Sequence, residues 1–266
     1  MSRIAVAAVI PARMASSRFP GKPLLQVRGL PMIEHVRRRA LLCKRFCEVV
    51  VATCDAAIAD VVERCGGRCI MTSPEHPAAT DRVCEAMRQI PCTHVVNVQG
   101  DELLVLPRDL AALVQAIENN PEIPAWNALA PIEAVSELSD SSVVKCVVSR
   151  SDQIMYCGRD MSHLASAGWG PSGPIRWILG ILGYRRDLLE RYGELERTPI
   201  ETAEAIDQMR IIEHDVLLQG VVFSKGYPGI NAPRDVVVVE HYLDEDPAQQ
   251  ATLQEVLHSC AATPST

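Results

Sequence analysis

The chain has 266 residues, 48% of them hydrophobic and 22% charged, with a formal net charge of −7 and a mean hydropathy of +0.07. That length suits one large α/β domain or two small ones, and the acidic balance argues against general binding to nucleic-acid backbones. No apolar run reaches the length of a membrane span, and Pro11 and Arg13 cut the first one short of a signal peptide, so a cytoplasmic protein with no membrane partner is expected. Ten cysteines lie scattered without a C-x-x-C pair. They read as small core hydrophobes of a reducing compartment rather than as a zinc or redox centre.

Residues 4–10 form an apolar, β-branched run stopped by Pro11, the pattern of a buried parallel strand. A loop carrying Arg13, Arg18 and Lys22 follows, turned by Pro20-Gly21. Pro31 opens a helix in which Met32, Ile33, Val36, Ala40 and Leu41 recur at helical spacing, with Arg37, Arg38 and Arg39 on the outer side. Strand 48–53 comes next, then a helix capped by Asp55 and stopped by Gly66-Gly67, then a short strand over 68–72. A helix beginning at Thr80 or Asp81, strand 94–98 and helix 107–119 complete four strand–helix alternations within residues 1–120. This is the pattern of an α/β, doubly wound, mostly parallel sheet.

The second half is less regular. Residues 125–130, 143–148, 153–157, 177–185 and 216–223 are expected as strands, and 161–174 as a loop or short helix. Helices are predicted over 200–213, 234–243 and 249–258, the second after the turn at Gly229–Pro233, with a frayed tail over 261–266. No repeat or linker interrupts the chain, so residues 1–266 are taken as a single domain with inserted strands.

Three stretches carry chemistry. The first is the basic loop: three cations at the carboxyl end of a first strand suit a polyphosphate, because ligands of open α/β sheets bind at that end. The loop lacks G-x-G-x-x-G and G-x-x-x-x-G-K-[ST], so neither a dinucleotide fold nor a P-loop is signalled. The second is Gln99-Gly100-Asp101-Glu102 after strand 94–98. Asp101 is the first choice for a Mg²⁺ ligand at the same sheet edge, and Gly100 allows close approach of backbone. The third is His76–Arg82, where Thr80 suits a helix cap, Arg82 can reach a base or phosphate, and His76 reads as structural.

Together, PARMASSRFPGKPL (11–24), HPAATDR (76–82) and NVQGDE (97–102) resemble the 3-deoxy-manno-octulosonate (KDO) cytidylyltransferases, over residues 4 to about 239. The resemblance implies a nucleotidyltransferase fold with inserted dimerisation strands, hence a homodimer. It also implies a reaction that uses CTP and Mg²⁺ to place CMP on a small anionic acceptor. A nucleotide-binding half would span about 1–120, an acceptor and dimerisation half about 121–245, and a C-terminal helix and tail 246–266. By resemblance Pro11, Arg13, Arg18 and Lys22 lie in the triphosphate loop, with Arg13 and Lys22 catalytic. Ala12, Thr80, Arg82 and Gln99 fall where the family holds cytidine. Asp101 and Asn231 fall on metal-binding positions, and Asp101 is also catalytic.

The chain departs from the family in its second half. The family's H-x-G-x-Y-x-Y-R strand reads ILGILGYR here, placing Ile178 and Leu182 on a His and a Tyr that help hold KDO. The acceptor-binding Glu-Gln pair becomes Asp207-Gln208, and a metal-binding aspartate becomes Asn231. Apolar side chains there would leave sugar hydroxyls unpaired at about 1–3 kcal/mol each. A compact phosphonate such as phosphonoformate is therefore expected as acceptor rather than KDO, the alternative being KDO or another 2-keto sugar acid. The acceptor would meet Gln99, Arg159, Ile178, Leu182, Tyr184, Arg185, Asp207 and Gln208, with Arg176 as a further cation. Two other classes compete: a CTP-binding module without turnover, and a nicotinamide-dependent dehydrogenase, which the missing glycine fingerprint disfavours.

Overall fold

The computed structural model describes residues 4–15, 18–76, 78–167 and 173–258. Where a single domain was expected, the chain divides into two compact units, one of residues 1–114 and 227–266 and one of residues 115–226.

The first unit begins with β1 (Val6–Ala12), buried at all seven positions. A 3₁₀ turn at Lys22–Leu24 and a small hairpin of β2 (Gln26–Val27) and β3 (Leu30–Pro31) lead into α1 (Met32–Leu42). Strands and helices then alternate: β4 (Glu48–Thr53), α2 (Ala56–Arg64), β5 (Arg68–Met71), α3 (Ala79–Met87), β6 (His94–Val98) and α4 (Pro107–Asn119). The four long strands run parallel in the order β6-β1-β4-β5, with Val9 level with Val50 on one side and Asn97 on the other. Both neighbours of β1 are buried strands rich in valine, with His94 and Asn97 of β6 as buried polar exceptions.

The arginines of α1 depart from expectation. Arg37, Arg38 and Arg39 are all buried, at 4%, 4% and 0% exposure. Arg37 and Arg38 both hydrogen-bond the carboxylate of Glu34, itself fully buried, so two guanidinium groups share one charge within a single helix. Arg39 Nη1 donates instead to the Val105 carbonyl and to Gln249 Oε1. Burial pulls its pKa down to about 10, which still leaves it charged at neutral pH. His35, on the same helix, is pushed down to about 4 by burial and is therefore neutral, set against the Val27 carbonyl.

The second unit contains β7 (Ala125–Pro131), β8 (Lys145–Val148), β9 (Ile154–Gly158), β10 (Ile175–Arg185), α5 (Arg186–Tyr192), α6 (Pro199–Glu204), α7 (Gln208–Glu213) and β11 (Leu218–Val222). β7 lies between antiparallel β10 and parallel β11, and β8 joins β10 to β9 in antiparallel fashion. A register shift interrupts β10 between Ile178 and Leu182. Helix 200–213 was expected to be continuous. It breaks at Ala205, which takes a left-handed φ of 53°. In an unbroken helix Glu201 and Arg210 would stand about 13 Å apart along the axis. The break folds α7 back, so that Arg210 reaches Glu201 at 2.5 Å. Glu213 in turn accepts the free backbone N–H groups of Ile200 and Glu201. Burial pushes Glu201 up, but Arg210, the Thr198 N–H and Arg197 outweigh it and hold the carboxyl below its usual range. The short 3₁₀ turn Ser162–Ala167 answers part of the expected loop; residues 168–172 of that stretch and the tail from 259 lie outside the described residues.

The chain then returns to the first unit through α8 (Asp235–Glu245) and α9 (Pro247–His258). α9 is fastened by α1: Arg38 donates to the Val256 carbonyl, and Gln249 joins Arg39 to the Leu104 carbonyl. Among the described residues, no helix is long and apolar enough to cross a membrane. Burial also raises the thiols of Cys69 to about 11 and Cys146 to about 12, consistent with cysteine used as core.

Gln249→Ala removes one acceptor from a buried guanidinium and the donor to Leu104. A loss of about 1–3 kcal/mol is expected, read as a lower urea midpoint at unchanged slope.

Candidate active site

β1 ends at Pro11-Ala12 and β6 at Val98, and because the two strands are parallel neighbours their following loops leave from the same edge. The approach is close. A Cβ on Gly100 would lie 2.9 Å from the Pro11 carbonyl oxygen, so only glycine fits without displacement. The turn before α8 comes equally near: a Cβ on Gly229 would lie 2.9 Å from the Asp101 carbonyl oxygen, and the Ile230 N–H donates to that oxygen.

The basic loop is anchored at its start and its end. Asp55 was expected to cap α2. It stands at the N-cap position but gives α2 no side-chain cap; instead its Oδ2 accepts the Met14 N–H at 2.8 Å. Gly21, at φ 77°, donates its N–H back to the Met14 carbonyl. This closes the loop and sets Lys22 at the first position of the 3₁₀ turn. Lys22 Nζ then donates to Asp101 Oδ2 at 2.7 Å and to the Ile230 carbonyl at 2.9 Å. Arg18 Nη2 donates to Asn231 Oδ1 at 3.1 Å. Asn231 is itself placed by Asp235, whose Oδ2 accepts the N–H groups of Asn231 and Ala232 at 2.8 Å each.

These groups surround a pocket of about 240 Å³ in the first unit. Pro11, Ala12, Arg13, Arg18 and Lys22 form one wall, Gln99, Gly100 and Asp101 another, and Ala78, Ala79 and Arg82 a third. Four cations face one carboxylate, a balance that attracts a polyanion. Arg82 is almost fully buried; it donates to Thr72 Oγ1 and to the Ser73 carbonyl, fixing the segment ahead of α3. Thr80, a candidate for the cytidine, is 2% exposed and is not on the pocket wall. Asp81 rather than Thr80 accepts the Ala78 N–H and caps the helix. Ala78 and Ala79, which no side-chain signal marks, reach the pocket because the helix starts there. Glu85 accepts the Ser73 N–H at 2.9 Å and pairs with His76 at 2.5 Å. The Ser73 N–H first, with His76 and Arg82, holds its carboxyl below the usual range against partial burial. His76 therefore has the structural place expected of it.

Asp101 is the carboxylate among the pocket's lining residues that could hold a hard cation. Among the described residues no group of three or more His, Cys, Asp or Glu is gathered to hold a metal. One carboxylate fits Mg²⁺ that takes its remaining oxygens from phosphates and water, and does not fit a metal held by protein alone. Asn231, the other metal candidate, has its Oδ1 engaged by Arg18.

The acceptor candidates other than Gln99 belong to the second unit. Arg159 donates to the carbonyls of Ser141, Glu204 and Ala205. Arg176 donates to those of Gly173 and Ile175. Arg185 grips Asp187 with two nitrogens and reaches the Glu122 carbonyl. Each of these arginines bonds backbone or carboxylate groups of its own unit. Ile178 and Leu182 are 7% and 2% exposed, and Tyr184 is fully buried with its ring edge-on to Tyr192. Gln208 donates to Asn127 Oδ1, whose amide bonds the Leu179 carbonyl within the bulged part of β10. Asp207 is half-buried at the start of α7.

Gly100→Ala would force the ends of β1 and β6 apart. A fall of about 100-fold in kcat/KM for nucleotide substrate is expected, the scale of an ångström-level misplacement, with steady-state kinetics as the check and thermal melting to confirm folding.

Residues 7–222 match the protein family described as Cytidylyltransferase. The 3-deoxy-manno-octulosonate cytidylyltransferase of Escherichia coli is 35% identical over 243 residues, covering 91% of this chain and 98% of that protein. The protein of the same description from Myxococcus xanthus is 39% identical over 237 residues, covering 88% and 94%. Among solved structures, a CMP:2-keto-3-deoxy-manno-octonic acid synthetase complexed with CTP matches with a TM-score of 0.85 at 33% identity, covering 91% of this chain and 99% of that one. The 4-diphosphocytidyl-2C-methyl-D-erythritol synthase of Anaerococcus prevotii shares the fold alone, at 14% identity and a TM-score of 0.61 over 91% and 99%. The chain has the α/β fold of the nucleotidyltransferases, and it belongs to the cytidylyltransferase family.

Proposed function

We propose that this cytidylyltransferase transfers CMP from CTP to a 2-keto sugar acid of the KDO class, releasing pyrophosphate. The observation that carries the reading of the acceptor is the likeness to KDO cytidylyltransferases over about nine-tenths of this chain. The pocket supports the nucleotide half of the reaction independently, since its cations suit a triphosphate.

In this reading an acceptor oxygen attacks the α-phosphorus in line, and no covalent enzyme intermediate forms. Arg13 and Lys22 offset the charge that grows on the leaving pyrophosphate. Gly100 lets the backbone approach the nucleotide, and Arg82 with Glu85 holds the segment that packs beside it. Asp101 would hold Mg²⁺ together with the phosphates, where the ion supplies charge neutralisation at the phosphate oxygens. Catalysis is then positioning and electrostatics.

One observation favours a second reading, transfer to a compact phosphonate such as phosphonoformate. Ile178 and Leu182 are apolar where the resembling family keeps a His and a Tyr, and a polyhydroxylated acid would lose two partners there. The bonds that Arg159, Arg176 and Arg185 make within their own unit count against it, since a phosphonate would compete with those partners for the same guanidinium groups.

Pyrophosphate release with CTP, Mg²⁺ and either acceptor separates the two. With KDO as the natural class, its kcat/KM exceeds that of phosphonoformate by about tenfold or more; the reverse order establishes the second reading, and release with neither removes both. In the same assay Asp101→Asn is expected to lose most Mg²⁺-dependent turnover, and an unchanged Mg²⁺ titration would take the ion away from Asp101.

A further inference from the structure

We propose that Lys22 and Asp101 form a latch that makes metal binding depend on nucleotide binding: without a polyphosphate the Lys22 ammonium occupies the carboxylate that a divalent cation needs. The proposal rests on the nucleotide reading of the pocket and goes beyond it.

Among the described residues, Asp101 is the one carboxylate on the pocket wall. Its Oδ2 lies 2.7 Å from Lys22 Nζ, and the two side chains are only 15% and 18% exposed. A second donor of the same ammonium is held by the Ile230 carbonyl at 2.9 Å. That carbonyl is fixed in turn, since the Ile230 N–H bonds the Asp101 backbone oxygen. Lys22, Asp101 and the turn at Ile230 thus form a closed ring of contacts.

An ammonium in contact with a carboxylate repels a hard cation from the same oxygen, and one carboxylate alone is a poor site for Mg²⁺ in any case. A triphosphate entering the pocket offers Lys22 several anionic oxygens in place of one. Withdrawal of the ammonium toward them uncovers Asp101, and the phosphates supply further metal ligands. Each ligand therefore improves the site of the other, and the coupling is reciprocal. Arg18 provides the internal comparison. It is also a pocket cation, but it rests on the neutral amide of Asn231 at 3.1 Å, so its release uncovers no charge.

The test measures Mn²⁺ binding in the absence of nucleotide, by calorimetry and electron paramagnetic resonance, for the parent, Lys22→Met, Lys22→Arg and Arg18→Met. The latch predicts weak binding by the parent and by Lys22→Arg, and a gain on the order of tenfold for Lys22→Met. Arg18→Met should stay within about twofold of the parent. Equal gains at Lys22 and Arg18 would mean a general field of pocket charge and would overturn the latch, as would no gain at Lys22→Met. Asp101→Asn supplies a second measurement should the lysine variants fail to fold. With Lys22 released, CTP without metal should bind this variant more tightly than the parent, and unchanged or weaker binding overturns the proposal. Failure of CTP to bind the parent at all would instead remove the nucleotide reading, which the Mn²⁺ measurements do not test.

Discussion

The parallel contact between β1 and β6 is the constraint on which the site depends. It aligns Val6–Val9 with His94–Asn97, so the residues that follow each strand, Pro11-Ala12 and Gln99-Gly100-Asp101, emerge together. The spacing between strands is set by backbone hydrogen bonds and is not adjustable. Everything beyond the strand ends must fit the gap that remains. Gly100 meets that demand by having no side chain, and Gly229 does the same where the turn before α8 crosses Asp101. The basic loop, Asp101 and Asn231 become one cluster because three backbone segments are packed to the limit of contact. The attraction among their charges follows from that packing and does not cause it.

Buried charge does a second job in the first unit. α1 carries three successive arginines, and the fold turns none of them to water. Removing such groups from solvent is costly unless each finds partners. The partners are specific: Glu34 for two of them, and carbonyls and an amide around α9 for the rest. An apolar α1 would adhere to many helices. This one accepts a helix that brings Gln249 and the Val256 carbonyl to the right places, so polarity selects how α9 docks.

The strands of the first unit were legible because buried parallel strands are near-continuous runs of β-branched and small residues, as in β1, β4 and β6. The basic loop and Asp101 were legible as chemistry, and the pocket brings them together. What failed to be legible was long-range. Arg37–Arg39 looked like a solvated face, since nothing near them in sequence announces Gln249. The break at Ala205 was invisible because alanine favours helix locally; Arg210 with Glu201 decides it from nine residues away. Asp55 looked like a cap and instead holds Met14, a choice made by a loop 41 residues distant. Arg159 and Arg185 carry the right charge for an anion, and nothing near them in sequence announces the carbonyls of Ala205 and Glu122 that they bond.

The bond between Arg39 and Gln249 spans 210 residues. During synthesis α1 leaves the ribosome long before α9 does, and the intervening unit of residues 115–226 has all of its own sequence in hand while Arg39 still waits for its partner. Domains that are contiguous in sequence can fold as they emerge; a unit built from two separated stretches cannot complete itself until the second stretch has been made. The pocket belongs to that late-closing unit. The first unit, and the pocket with it, therefore closes only after the residues from 227 onward have been made, whereas residues 115–226 already hold every contact internal to their own unit.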